Sequence, residues 1–228
     1  MNEALESILC AEEKWSFDPE GRYIKLNTDG TGELWCRCNF NYWIAAEIEW
    51  ERVDGTDDAN IPNNILNNNN NNNNSNTTTT TPTQVSTTKS LKPQELGTIS
   101  LHLTLRKRIP SWARTSVLSK SSSMLNELDA FDTPRTYVVR MEKGNFVKPC
   151  AVGYGSDEEE ERFALRIVFD RSPYPPRAQW RNPDGGPDSG RFWDHVEFVA
   201  RPDPDLSRRV RPMNDPASGQ QGWGCVVM

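Results

Sequence analysis

Cys10, Cys36, Cys38, Cys150 and Cys225, with His102 and His195, are the side chains in this chain suited to thiol, metal-binding or imidazole chemistry. Cys36-Arg37-Cys38 puts two thiols on one face of a strand. With either histidine they make the nearest approach to a metal-ligand set. Structural zinc sites favour a Cys-x2-4-Cys spacing, which lets both sulfurs turn onto one ion. A single intervening residue in a strand holds the two roughly 7 Å apart. The spacing therefore predicts core thiols, with no metal and no cofactor. His102 lies opposite the apolar face of its strand, which predicts a solvated or barrel-lining ring, and His195 is expected near a barrel end. Neither stands in a nucleophile motif, no Gly-x-Ser-x-Gly occurs, and no acid–base pair is assigned, so no catalytic residue is named. Ser156, followed by Asp157, Glu158, Glu159 and Glu160, has the form of an acidophilic kinase site. Phosphate there would add charge to an already acidic loop.

The sharpest signal is the end of the sequence. Cys225-Val226-Val227-Met228 is a thiol followed by two aliphatic residues and Met. This resembles the C-a-a-X box of farnesylated proteins, in which a prenyltransferase alkylates the cysteine and Met selects farnesyl. Pro212 to Gly224 supplies the extended tail such an enzyme needs. One lipid chain gives only marginal, reversible anchoring. Arg208, Arg209 and Arg211 are a weak second signal, because Asp203, Asp205 and Asp215 lie among them. The expectation is a cytoplasmic protein, partly membrane-associated through a prenyl group. Small GTPases often end this way, but the Gly-x4-Gly-Lys-Ser/Thr phosphate loop is absent.

Composition narrows the classes. The 228 residues carry a formal net charge of -6, which argues against nucleic acid as a partner. No run of 18 apolar residues suggests a membrane span. Met1 to Trp15 lacks a basic region before an apolar core, so no secretory signal is expected, and the thiols are expected to be reduced.

The elements that must position these groups are strands. Residues 2–14 carry Leu5, Ile8 and Leu9 at helical spacing, predicting a short N-terminal helix. Trp15 to Phe17 opens the β region and Asp18-Pro19-Glu20-Gly21 reads as a turn. Arg22 to Trp50 reads as three strands, the first two joined through Asp29-Gly30. Ile44, Ala46, Ile48 and Trp50 share one face at period two. Residues 54–96, with asparagines 67–74 and threonines 77–81, cannot bury enough apolar surface and read as a disordered insertion. Strands are predicted at 97–106, at 136–141 with a turn at Gly144-Asn145 into Phe146-Val147, at 163–170 and at 192–200. Residues 111–134, 155–162 and 171–191 read as loops, and the chain beyond 202 as a disordered tail.

Eight or nine strands joined to sequential neighbours predict an all-β fold: one antiparallel up-and-down barrel over residues 1–202, with a flexible tail at 203–228. A β-sandwich is the alternative. Ile48, Leu103, Leu165 and Ile167 are expected inside. Trp15 on the first strand after a short helix, with Arg201 just past the last strand, resembles the lipocalin or wider calycin superfamily. In that family a Gly-x-Trp motif opens the barrel and an Arg packs across the Trp; Glu13 stands here where the family has Gly. The resemblance implies a non-enzymatic barrel that binds a small lipophilic ligand or a protein partner. Alternatives are an interaction module with a filled barrel and an isomerase- or dehydratase-type enzyme acting on a small lipophile.

Overall fold

A computed structural model of the protein describes residues 2–38, 41–53, 92–113, 127–152 and 161–206. Ser156, Cys225, Val226, Val227, Met228, the arginines at 208, 209 and 211, and residues 54–91 of the expected insertion lie outside the described residues. One antiparallel sheet takes the strands in chain order: β1 (Trp15–Ser16), β2 (Tyr23–Leu26), β3 (Thr31–Cys38), β4 (Asn41–Arg52), β5 (Gln94–Leu105), β6 (Arg135–Phe146), β7 (Phe163–Phe169) and β8 (Glu197–Pro202). Pairing of β8 with β1, Val199 opposite Ser16, closes the ring into a barrel.

The β2–β3 hairpin forms where Asp29-Gly30 was expected to turn the chain. Gly30 takes φ 78°, a region L-residues avoid. Asp29 Oδ1 accepts the Thr31 backbone N–H at 3.0 Å. Strand β5 begins three residues before the predicted boundary, so 94–96 belong to the sheet and not to the insertion. β6 corrects a second expectation: Gly144-Asn145 does not turn the strand back. The ladder runs on to Phe146 across a register shift after Lys143, an irregularity that bends a strand without ending it. Phe146 consequently joins Phe163 and Val199 in a separate cluster. The last strand is shorter than expected, because Phe192–Asp194 forms a 3-10 turn and β8 starts only at Glu197.

Alternation fills the barrel. Ile24, Leu34, Ile48, Ile99, Leu101, Leu103, Val139, Leu165, Ile167 and Phe198 belong to one buried cluster. Trp15, Ile24, Leu101, Val139, Ile167 and Phe198 expose no surface at all. These buried side chains line the barrel axis.

Helix α1 (Asn2–Ala11) buries Leu5 and Leu9, one turn apart on one face. The Leu9 carbonyl is among the last four of the helix, which have no intrahelical partner; it accepts the Trp15 indole N–H at 2.9 Å. α1 packs against β5 at Gly97, where φ is 147° and an added Cβ would stand 2.9 Å from Leu5 Cδ1. No helix among the described residues is long and apolar enough to cross a membrane.

Candidate functional site

The chain between β7 and β8 reads as a Pro- and Gly-rich loop, yet it is anchored through large rings. Tyr174, Trp180 and Phe192 are buried in the main core. The Tyr174 hydroxyl donates to the Trp35 carbonyl at 2.7 Å, and the Trp180 indole N–H donates to the Pro175 carbonyl at 2.9 Å. The Ser172 hydroxyl donates to the Phe192 carbonyl and accepts the Tyr174 N–H. These bonds satisfy polar groups that would be costly to bury alone. Prolines and glycines set the path, and the aromatic side chains fasten it across the end of the barrel where β6 begins and β7 ends.

Under this segment an aromatic array closes off the interior. Tyr137 meets Phe169 edge-on, Phe169 meets Phe198, and Tyr174 meets Phe198, with ring centroids 5.8, 5.9 and 6.2 Å apart. Above it lies a recess of about 480 Å³ lined by Arg135, Tyr137, Arg171, Tyr174, Arg177 and Trp193, together with Ser172 and Pro176. Its volume falls within the range of small-molecule sites. Burial pushes the Tyr174 and Tyr137 pKa values up, and for Tyr137 the charges of Arg135 and Arg171 oppose that shift. Both phenols are neutral at physiological pH.

Beside the recess stands a buried polar group that the Asp18-Pro19-Glu20-Gly21 turn did not announce. Asp18, 4% exposed, accepts the backbone N–H groups of Glu20, Gly21 and Arg22, each at 3.0 Å. It also pairs with the Arg22 guanidinium. Burial pulls the Arg22 pKa down, but Asp18 outweighs it and the net direction is up. Arg22 also lies 4.7 Å from the Phe17 ring centroid. Phe17 stacks on His195 at 3.7 Å, so His195 does sit at a barrel end. Burial, with a smaller contribution from the Arg22 charge, pushes the His195 pKa down to about 4, and its Nδ1 is buried without a hydrogen-bond partner among the described residues.

The other sequence-selected residues scatter. Trp15 is fully buried, as a first-strand Trp should be. Arg201 does not reach its face; the guanidinium turns outward to Glu12. Cys36 is a buried core thiol, while the side chain of Cys38 lies outside the described residues. A register shift between Cys36 and Arg37 separates the pair from regular alternation. Burial raises the Cys10 pKa to about 11 and that of Cys150 as well, so neither offers a thiolate at neutral pH. His102 is on the outer wall beside Glu51, at 3.2 Å. There a second recess, also about 480 Å³, is lined by Asp29, Glu49, Glu51, His102 and Arg106; Arg106 is already held by Glu49 and Asp132. Trp112, 67% exposed, stacks on Trp35 at 5.1 Å.

Sequence reasoning missed the mouth recess because its arginines stand far apart in the chain and meet only once β6 and the β7–β8 connection are side by side. A usable signal was the density of Tyr, Trp and Phe in 171–196, which is excessive for a solvated loop. Compared with known proteins, the chain matches no family model, no curated protein and no solved structure.

Proposed function

We propose that this chain is a non-enzymatic, lipocalin-like binding barrel that takes a small lipophilic ligand in the recess at its mouth. The observation that carries the reading is the recess itself. It is ring-lined and of ligand size, and the hydroxyl of Tyr174 in its wall is already bonded to the Trp35 carbonyl. In a titration with 2-naphthalenemethanol, a neutral bicyclic lipophile, saturable one-to-one binding with a change in tryptophan fluorescence is expected. Pro176→Trp, which places a large ring at the exposed rim, should remove it. Absence of saturable binding both of this probe and of its carboxylate counterpart, 2-naphthoate, by the parent protein would overturn the reading.

The densely buried side chains of the barrel and the exposed Trp112, stacked on buried Trp35, favour a second reading, an interaction module whose outer wall meets a protein partner. That reading gains if the recess stays empty in the titration while Trp112→Ala weakens a pull-down from cytosol.

In either case we propose that Cys225 carries a farnesyl group and holds the barrel reversibly at a cytoplasmic membrane surface. The support is the Cys225-Val226-Val227-Met228 sequence, which resembles the C-a-a-X box of farnesylated proteins. Burying a methylene is worth about 0.8 kcal/mol, so a single prenyl chain binds a bilayer only marginally. The expected distribution in eukaryotic cells is mixed, shifting to the soluble fraction on Cys225→Ser or on farnesyltransferase inhibition. Identical fractionation of parent and variant, or an unmodified C-terminal peptide by mass, would overturn the tether.

A further inference from the structure

The protein carries a net charge of -6, and its arginines mostly find carboxylates. Arg22 pairs with Asp18, Arg106 with Glu49 and Asp132, Arg140 with Glu142, Arg166 with Glu142 and Glu197, and Arg201 with Glu12. At the rim of the mouth recess, Arg177 is held by Asp184 and Asp188.

Arg135 and Arg171 differ. Arg135 donates from Nη2 to the Asp129 carbonyl at 2.9 Å and to the Gln179 side-chain oxygen. Its Nη1 is buried with no hydrogen-bond partner among the described residues. Arg171 donates from Nη2 to the Thr136 carbonyl and lies 5.2 Å from the Tyr137 ring centroid. All these partners are neutral. Among the described residues, no carboxylate lines the recess between them. Two guanidinium groups thus share a ring-lined concavity without a carboxylate paired to either among the described residues, an arrangement that is unfavourable in proportion to its desolvation. Two further polar groups of the wall are committed, since Ser172 and Tyr174 spend their hydroxyls on the Phe192 and Trp35 carbonyls. What remains for a ligand is positive charge at one side and the rings of Tyr137, Tyr174 and Trp193 at the others.

We propose that the ligand of the mouth recess is a planar aromatic carboxylate, its anionic group set against Arg135 and Arg171 and its ring against Tyr137, Tyr174 and Trp193. Guanidinium groups match a carboxylate in both charge and planar donor geometry, and flat rings pack on aromatic walls by offset stacking or edge contact. The inference rests on the reading of the recess as a ligand site and adds the charge of the ligand to it.

The test compares 2-naphthoate with 2-naphthalenemethanol, which share a ring and differ in charge, by calorimetric titration of the full chain. The carboxylate is expected to bind at least about tenfold tighter, with the advantage shrinking as salt rises from low to high ionic strength. Arg171→Gln should cut that preference to within about threefold, by weakening the carboxylate far more than the alcohol. Arg135→Gln should do the same. If it fails to fold through loss of the Asp129 and Gln179 contacts, Arg171→Gln decides, because Arg171 is exposed and makes one hydrogen bond among the described residues. Arg177→Gln, which removes a charge that is already paired, should keep most of the preference. Equal binding of the two probes by the parent, or an undiminished preference in Arg171→Gln, overturns the anion inference while leaving the recess a lipophile site. Binding of neither probe overturns the recess reading, and the inference with it.

Discussion

Trp15→Ala is expected to lower the unfolding free energy by about 3–5 kcal/mol, the range for truncating a large core aromatic. Trp15 exposes no surface, so its removal leaves a cavity that the packed barrel can only partly collapse. The substitution also deprives the Leu9 carbonyl of its indole donor, and with it the link that holds the end of α1 to the first strand. Chemical denaturation monitored by far-ultraviolet circular dichroism is the measurement. A midpoint and slope equal to those of the parent would show that Trp15 is not the anchor its burial indicates. Trp15→Phe keeps most of the volume and loses the N–H, so it should fall between the two.

An effect of similar size is expected at Asp18. Asp18→Ala strips the counter-charge from Arg22, whose side chain is only 15% exposed. The backbone N–H groups of residues 20–22 lose their common acceptor. Removing one partner of a buried pair typically costs about 3–5 kcal/mol, because the other charge is left behind. The diagnostic is the double variant. Asp18→Ala with Arg22→Leu should be more stable than Asp18→Ala alone by about 1 kcal/mol or more, since the stranded guanidinium is gone. Strictly additive losses would mean that Arg22 finds adequate solvation without Asp18.

The parts of the fold that the sequence displayed are those governed by local rules. Asp29-Gly30 marked its hairpin because only a residue without a Cβ takes φ 78° readily. The β4, β5 and β7 faces were visible as period-two alternation, and Ile48, Leu103, Leu165 and Ile167 are all in the core. The errors fell where local rules are ambiguous. Gly144-Asn145 has the composition of a turn and is accommodated inside β6 by a register shift; neighbouring strands, not the dipeptide, decide between those outcomes. Phe192 and Trp193 have strand-like composition, but an αL residue, Arg191 at φ 44°, precedes them and starts a 3-10 turn. The candidate site was hidden for a different reason. Arg135 opens one strand while Arg171 and Arg177 follow another, and their proximity is a property of ring closure. Asp18 and Arg22 are four apart in a non-helical turn, where that spacing carries no expectation of contact.

Closure of the ring has a consequence for how the molecule opens. Most neighbouring strands share ladders of four or more register pairs, from β2–β3 to β7–β8. The β1–β8 seam has one, Ser16 opposite Val199. It joins residues from nearly opposite ends of the described chain, so its formation carries the largest loop-closure entropy of any strand pairing here and returns the fewest register pairs. The seam is therefore the place where the cylinder can split into a curled sheet with the least rupture. What keeps it shut is mainly side-chain packing: Trp15 wedged behind β1, bonded to α1, with α1 seated on Gly97. The stability change at Trp15 thus reports on the latch of the cylinder as well as on its core. The amides flanking Ser16 and Val199 are the ones whose solvent exchange should accelerate first as that latch is loosened.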